Sequence, residues 1–119
     1  MARILVIEDE ADVRNVCCLL LQHLGHKPEA VVSGERALLS LRVRSYDLVL
    51  IDLQLPGMDG WAVARAVKQR SPGTRVGLMT AEDFGFRKEE LLARGIDFWL
   101  PKPFDLDLAD RLISEALSQ

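Results

Sequence analysis

The chain has 119 residues, 49% of them hydrophobic, which suits one compact domain with a sizeable core and falls short of the usual size for two. Its 18 acidic and 15 basic residues give a formal net charge of -3 with no Lys/Arg cluster able to neutralise several phosphates, so direct nucleic-acid binding by this chain is not expected. The adjacent Cys17 and Cys18 suit neither a disulfide framework nor a zinc site, no apolar run approaches the roughly 20 residues that span a bilayer, and Ile4–Ile7 is too short for a signal peptide; the expected setting is the cytoplasm, with no membrane association.

Short runs rich in Val, Ile and Leu alternate with longer amphipathic segments along the whole chain. That alternation is the pattern of strands crossing over through helices into a parallel sheet. The first strand is predicted over Ile4–Ile7 and the first helix over Ala11–Leu24. In that helix Val13, Val16, Cys17, Leu20 and Leu24 fall on one face at a period of roughly 3.6 residues, and Gly25 follows where helices often end in a left-handed residue. A weak second strand runs near Pro28–Val32, and its proline, which lacks a ladder donor, assigns it to a sheet edge. Ser33 is placed to cap a second helix over Glu35–Arg42, whose apolar stripe is Ala37, Leu38 and Leu41. Further strands are predicted over Leu48–Ile51, Val76–Met79 and Phe98–Leu100, with helices near Trp61–Gln69, Arg87–Ala93 and Asp107–Leu117. An edge position for strand two favours a doubly wound, five-stranded parallel α/β sheet in the flavodoxin-like order 2-1-3-4-5, flanked by five helices.

Ligands of such sheets bind beyond the carboxyl ends of the strands, where strand order reverses. Strand one ends in Glu8-Asp9, strand three in Asp52, strand four in Thr80, and strand five runs into Lys102. In the predicted order these four strands are neighbours, so the residues meet at one rim. Taken singly, each has a plainer role: a turn cap for Asp52, helix entry for Glu8-Asp9-Glu10, a cap or strand residue for Thr80, a solvated turn for Lys102. Together they form a constellation. Three carboxylates in one cleft repel each other and raise their affinity for protons, which a hard divalent cation relieves. Magnesium suits the set, because it accepts a few carboxylates and keeps waters or phosphate oxygens as its other ligands. Lys102 and the Thr80 hydroxyl could then hold oxygens of a phosphoryl group in transit, leaving one carboxylate as the nucleophile of an acyl phosphate.

The segments Ile4-Leu5-Val6-Ile7-Glu8-Asp9-Glu10, Asp52-Leu53-Gln54-Leu55-Pro56-Gly57-Met58-Asp59-Gly60, Met79-Thr80-Ala81 and Pro101-Lys102-Pro103-Phe104 resemble, in order and spacing, the four sequence blocks of response-regulator receiver domains. The resemblance covers essentially the whole chain and implies a single receiver domain over residues 1–119. It implies that Asp52 is the phosphoacceptor, with Mg2+ held by Asp9, Asp52, the Gln54 backbone carbonyl and, through water, Glu8. Thr80 would bond the phosphoryl group after transfer, Lys102 would pair with it, and the Lys102–Pro103 peptide would be cis. The implied partners are a histidine kinase or a histidine phosphotransfer protein. The implied output is a switch of the surface of the fourth helix, fifth strand and fifth helix, a face that could also carry a homodimer. Three residues before the lysine the family usually has Tyr, Phe or His; here stands Trp99, whose larger indole needs more room and a partner for its N–H to switch with Thr80.

Two other functions fit parts of the pattern. An aspartate-nucleophile phosphatase also uses strand-end Asp, Thr and Lys with magnesium, but it resembles its relatives in carrying a second Asp two residues after the nucleophile, where this chain has Gln54, an amide unable to protonate a leaving group. A receiver-like binding module that signals without phosphate would not need the complete rim, although Trp99 suits it. Cys17 is read as a core thiol, His23 and His26 as surface histidines, and Trp61 as a packing residue. Glu82, Phe84 and Phe86 follow Thr80, where the phenylalanines could tint a partner surface.

Overall fold

The computed structural model describes residues 2–55, 57–81, 85 and 87–118. Five strands alternate with five helices in chain order: β1 Arg3–Ile7, α1 Ala11–His23, β2 Lys27–Val31, α2 Gly34–Val43, β3 Leu48–Asp52, α3 Gly60–Arg70, β4 Arg75–Thr80, α4 Lys88–Ala93, β5 Phe98–Pro101 and α5 Leu106–Leu117. The strands form one sheet in the order β2-β1-β3-β4-β5, with every pair parallel. This is the order expected from Pro28, and β2 is an edge strand.

Parallel strands covered on both faces read as continuous apolar runs, and the two faces of the sheet divide the core in two. Leu5, Ile7, Val49, Ile51, Val76 and Leu78 point to one side, where they pack with Ala37 of α2, Val63, Ala64 and Val67 of α3, and Leu91 of α4. The residues between them, Ile4, Val6, Leu48, Leu50 and Met79, face the other side and meet Cys17 and Leu21 of α1 and Ala109, Ile113 and Ala116 of α5. The alternation follows from the two-residue period of a strand. α1 and α5 therefore cover one face, and α2, α3 and α4 the other.

Local chemistry sets the helix ends. The Ser33 hydroxyl accepts a hydrogen bond from the Arg36 N–H and caps α2, as Asp59 does for α3 through the Ala62 N–H. α1 closes on Leu24, after which Gly25 takes φ +90°, a left-handed conformation that costs glycine nothing. At the edge, the Tyr46 hydroxyl donates to Glu29 of β2, whose other carboxylate oxygen pairs with Arg44. Charged groups on an edge strand oppose pairing with another chain.

One expected face is rotated. Cys17 and Leu21 are the buried residues of α1 and Val13 and Leu20 pack beside them, whereas Val16 is 55% exposed. Consecutive helical residues are about 100° apart, so directing Cys17 and Leu21 at the sheet turns Val16 toward solvent.

Candidate functional site

Asp52 and Thr80 are the last residues of β3 and β4, and Lys102 follows β5 directly. Their neighbours in register, Asp52 with Met79 and Thr80 with Pro101, bring the three strand ends level. Two further backbone hydrogen bonds carry the pairing past the strands, from the Leu53 N–H to the Met79 carbonyl at 3.0 Å and from the Lys102 N–H to the Thr80 carbonyl at 2.9 Å. β1 lies on the other side of β3 and delivers Glu8 and Asp9, with the Glu8 N–H donating to the Val31 carbonyl at 3.1 Å. Carboxylate oxygens of Glu8, Asp9 and Asp52 all lie within 4.8 Å of one another.

Lys102 joins the two buried acids. Its Nζ pairs with Glu8 Oε1 and lies 3.3 Å from Asp52 Oδ2. The other oxygen of Asp52, Oδ1, accepts from the Gln54 N–H at 3.0 Å, which turns the loop after β3 back over the acid. Gly60 permits this turn to close: a Cβ there would stand 3.0 Å from the Asp52 carbonyl oxygen and from Leu53 Cα. The Lys102–Pro103 peptide is cis.

Glu8, Asp52 and Thr80 are all buried, whereas Asp9 is exposed. Burial pushes the Glu8 carboxyl up to about 7, with Asp52 adding to the rise and Lys102 and the Glu10 N–H opposing it. Burial alone would lower the Lys102 ammonium, but Glu8 and Asp52 outweigh it and its pKa is raised. Among the described side chains that line the cleft, three carboxylates, two of them buried, meet one ammonium. An all-oxygen donor set of this kind matches a hard cation such as Mg2+.

Arg14, which no motif in the sequence marks, also belongs to this rim. Its Nη1 donates to the carbonyls of both Glu8 and Asp9, at 3.0 Å each. The sequence did hold a signal: a cation in the fourth position of α1, near the positive helix end, is electrostatically misplaced unless something nearby holds it.

The remaining residues singled out from the sequence lie elsewhere. Trp99 is half-buried on β5 and packs against the cluster that contains Leu78, Leu91 and Ile96; its indole nitrogen is screened from solvent. With Lys88, Leu91, Leu112 and Glu115 it lines a groove of about 460 Å³ between α4 and α5. Trp61, half-buried at the start of α3, carries the Arg94 guanidinium 4.4 Å from its ring centroid, a cation–π contact that ties α3 to the end of α4. Cys17 is buried, its thiol pushed up to about 12 chiefly by burial. His26 is more engaged than a surface histidine, since its Nδ1 accepts from the Ala2 N–H at 3.3 Å. Glu82, Phe84 and Phe86 lie outside the described residues.

Residues 4–114 match the model of the response regulator receiver domain family. Over 113 residues, 95% of this chain, the sequence is 34% identical to the DNA-binding transcriptional regulator NtrC of Klebsiella pneumoniae, and this stretch spans 24% of that protein. Among solved structures, the response regulator TrrA from Thermotoga maritima, in complex with Mg(2+)-BeF, superposes with a TM-score of 0.86 at 29% identity, covering 98% of this chain and 99% of that one. The chemotaxis protein CheY4 of Vibrio cholerae gives a TM-score of 0.88 at 27% identity, covering 98% of both chains.

Proposed function

Because the chain belongs to the response-regulator receiver family, we propose that Asp52 accepts a phosphoryl group, in the presence of Mg2+, from a phosphohistidine of a histidine kinase or phosphotransfer protein. The observation that carries this reading is the meeting of Asp52 with Lys102 and with the carboxylates of Glu8 and Asp9 at one strand-end rim.

In the proposed transfer an oxygen of Asp52 forms a bond to phosphorus as the P–N bond to the donor imidazole breaks, and the imidazole leaves with the bonding electron pair. The Gln54 N–H holds Asp52 Oδ1 and so restricts how the carboxylate turns toward the donor. Lys102, already 3.3 Å from Asp52 Oδ2, is placed to exchange that contact for one to a phosphoryl oxygen. Thr80, buried on the neighbouring strand end, would donate its hydroxyl to another. Asp9, Asp52, the Gln54 carbonyl and Glu8 would hold the magnesium, which when bound neutralises charge on the phosphoryl oxygens.

The new charge would then bias the surface of α4, β5 and α5 through Thr80 and Trp99, and a homodimer through that surface belongs to the same reading. Gln54 supports a signalling acceptor over a phosphatase, since its amide cannot protonate a leaving group. The 119 residues would act as one receiver domain in the cytoplasm, making no direct contact with nucleic acid or membrane. Among the described residues no helix is long and apolar enough to cross a membrane.

Incubation with Mg2+ and acetyl phosphate, followed by mapping of the acyl phosphate, is expected to find one equivalent on Asp52 and none in Asp52→Asn. Full labelling of Asp52→Asn would reject the assignment.

A further inference from the structure

Among the described residues, no side-chain hydrogen bond or ion pair holds the Asp9 carboxylate at the site. The residue is exposed and lies in the turn between β1 and α1, yet its carboxylate comes within 4.8 Å of Glu8 and of the buried Asp52, two groups whose charge repels it. Some part of the backbone must therefore hold the turn against that repulsion.

Arg14 meets three consecutive carbonyls of this turn. Its own N–H donates to the Glu10 carbonyl at 2.9 Å, the first hydrogen bond of α1. Its Nη1 reaches back to the carbonyls of Glu8 and Asp9. Nη1 carries two hydrogens held in the plane of a rigid guanidinium and can give one to each carbonyl, so one nitrogen ties two successive peptide planes, and with them the directions in which the Glu8 and Asp9 side chains leave the backbone. A further tie is local, from the Glu10 N–H to Glu8 Oε2 at 3.3 Å, and the Glu8 N–H holds the start of the turn to the Val31 carbonyl.

We infer that Arg14 is a positioning residue, whose guanidinium clamps the Glu8 and Asp9 carbonyls so that both carboxylates stay aimed at Asp52 and ready for a divalent cation. The inference rests on the reading of this rim as a magnesium site. Charge and geometry make opposite predictions here. A cation beside the site repels Mg2+, so if Arg14 acted only through its charge, removing it would tighten magnesium binding. A clamp has the reverse sign: losing it lets the turn relax away from Asp52 and weakens binding.

The test compares wild type, Arg14→Met and Arg14→Lys. Arg14→Met keeps most of the aliphatic stem without donors, and Arg14→Lys keeps the charge on a shorter side chain without the planar guanidinium. Calorimetric Mg2+ titration is expected to show affinity falling about tenfold in Arg14→Met, the lower end for groups that orient metal ligands, with Arg14→Lys in between. Amide hydrogen exchange of the metal-free proteins is expected to speed up at Asp9 and Glu10 in Arg14→Met while the β3 and β4 amides stay protected. Magnesium binding in Arg14→Met as tight as wild type or tighter, or unchanged exchange at Asp9 and Glu10, would overturn the clamp. Absence of Mg2+ binding by the wild type would instead defeat the proposed function, and the metal-free exchange would still decide the role of Arg14. Should Arg14→Met fail to fold, Arg14→Lys carries both measurements, with wild-type values in both overturning the inference.

Discussion

Glu8 pairs with Lys102 and yet has its carboxyl pushed up to about 7, because burial outweighs the ammonium and Asp52 adds to the rise. In the unfolded chain the same group titrates near 4.5. Below that pH both states hold the proton, and above about 7 neither does. Between the two the folded state binds more protons, so the contribution of Glu8 makes metal-free stability fall as pH rises through this window. Urea melts of the metal-free protein at a series of pH values are expected to show this decline in wild type and a flatter profile in Glu8→Gln. Equal slopes for the two proteins would remove Glu8 as its source. Its position at the end of an apolar strand, beside those of Asp52, Thr80 and Lys102, makes Glu8 a candidate rim residue from the sequence. Its proton affinity required the structure, because that depends on how deeply the carboxyl is buried and on the Lys102 and Asp52 groups beside it.

At the scale of elements, the rotation of α1 shows where a sequence pattern stops being informative. Periodicity gives the angles between side chains around a helix, but not the angle of the helix to the sheet. Leu21 enters the layer made by Ile4, Val6, Leu48 and Leu50, and this turns Val16 outward. Leu21→Ala is expected to cost about 2–5 kcal/mol, the range for a large-to-small change in a core. Val16→Ala should stay within about 0.5 kcal/mol, as surface changes do. Equilibrium denaturation measures both, and equal losses would contradict the placement of α1. The Trp61–Arg94 contact was equally hidden, since 33 positions in chain numbering separate residues that meet only once α3 and α4 lie side by side. Caps were easier to read: Ser33 acts on Arg36 within one turn, so the information needed is local.

For the whole molecule, the sheet order makes the site a property of the fold, since strands β1, β3, β4 and β5 must be neighbours before Glu8, Asp9, Asp52, Thr80 and Lys102 can meet. A ligand that binds only the folded chain stabilises it by mass action. Magnesium at about one hundred times its dissociation constant should therefore add about 2.7 kcal/mol and raise Tm by several degrees, an effect reversed by EDTA. Superimposed melts with and without saturating Mg2+ would count against a metal site. The alternation of five strands and five helices, the edge position of β2 through Pro28, and the polar residues that close each strand were legible in the residues alone, because periodicity, proline and strand ends act over a few positions. The bridging of Glu8 and Asp52 by Lys102, the return of Arg14 to the acidic turn, and the packing of Trp99 against the cluster that holds Leu91 and Ile96 came from the packed fold. Those contacts depend on rotamers and helix rotations chosen when distant segments pack, and no local pattern encodes them.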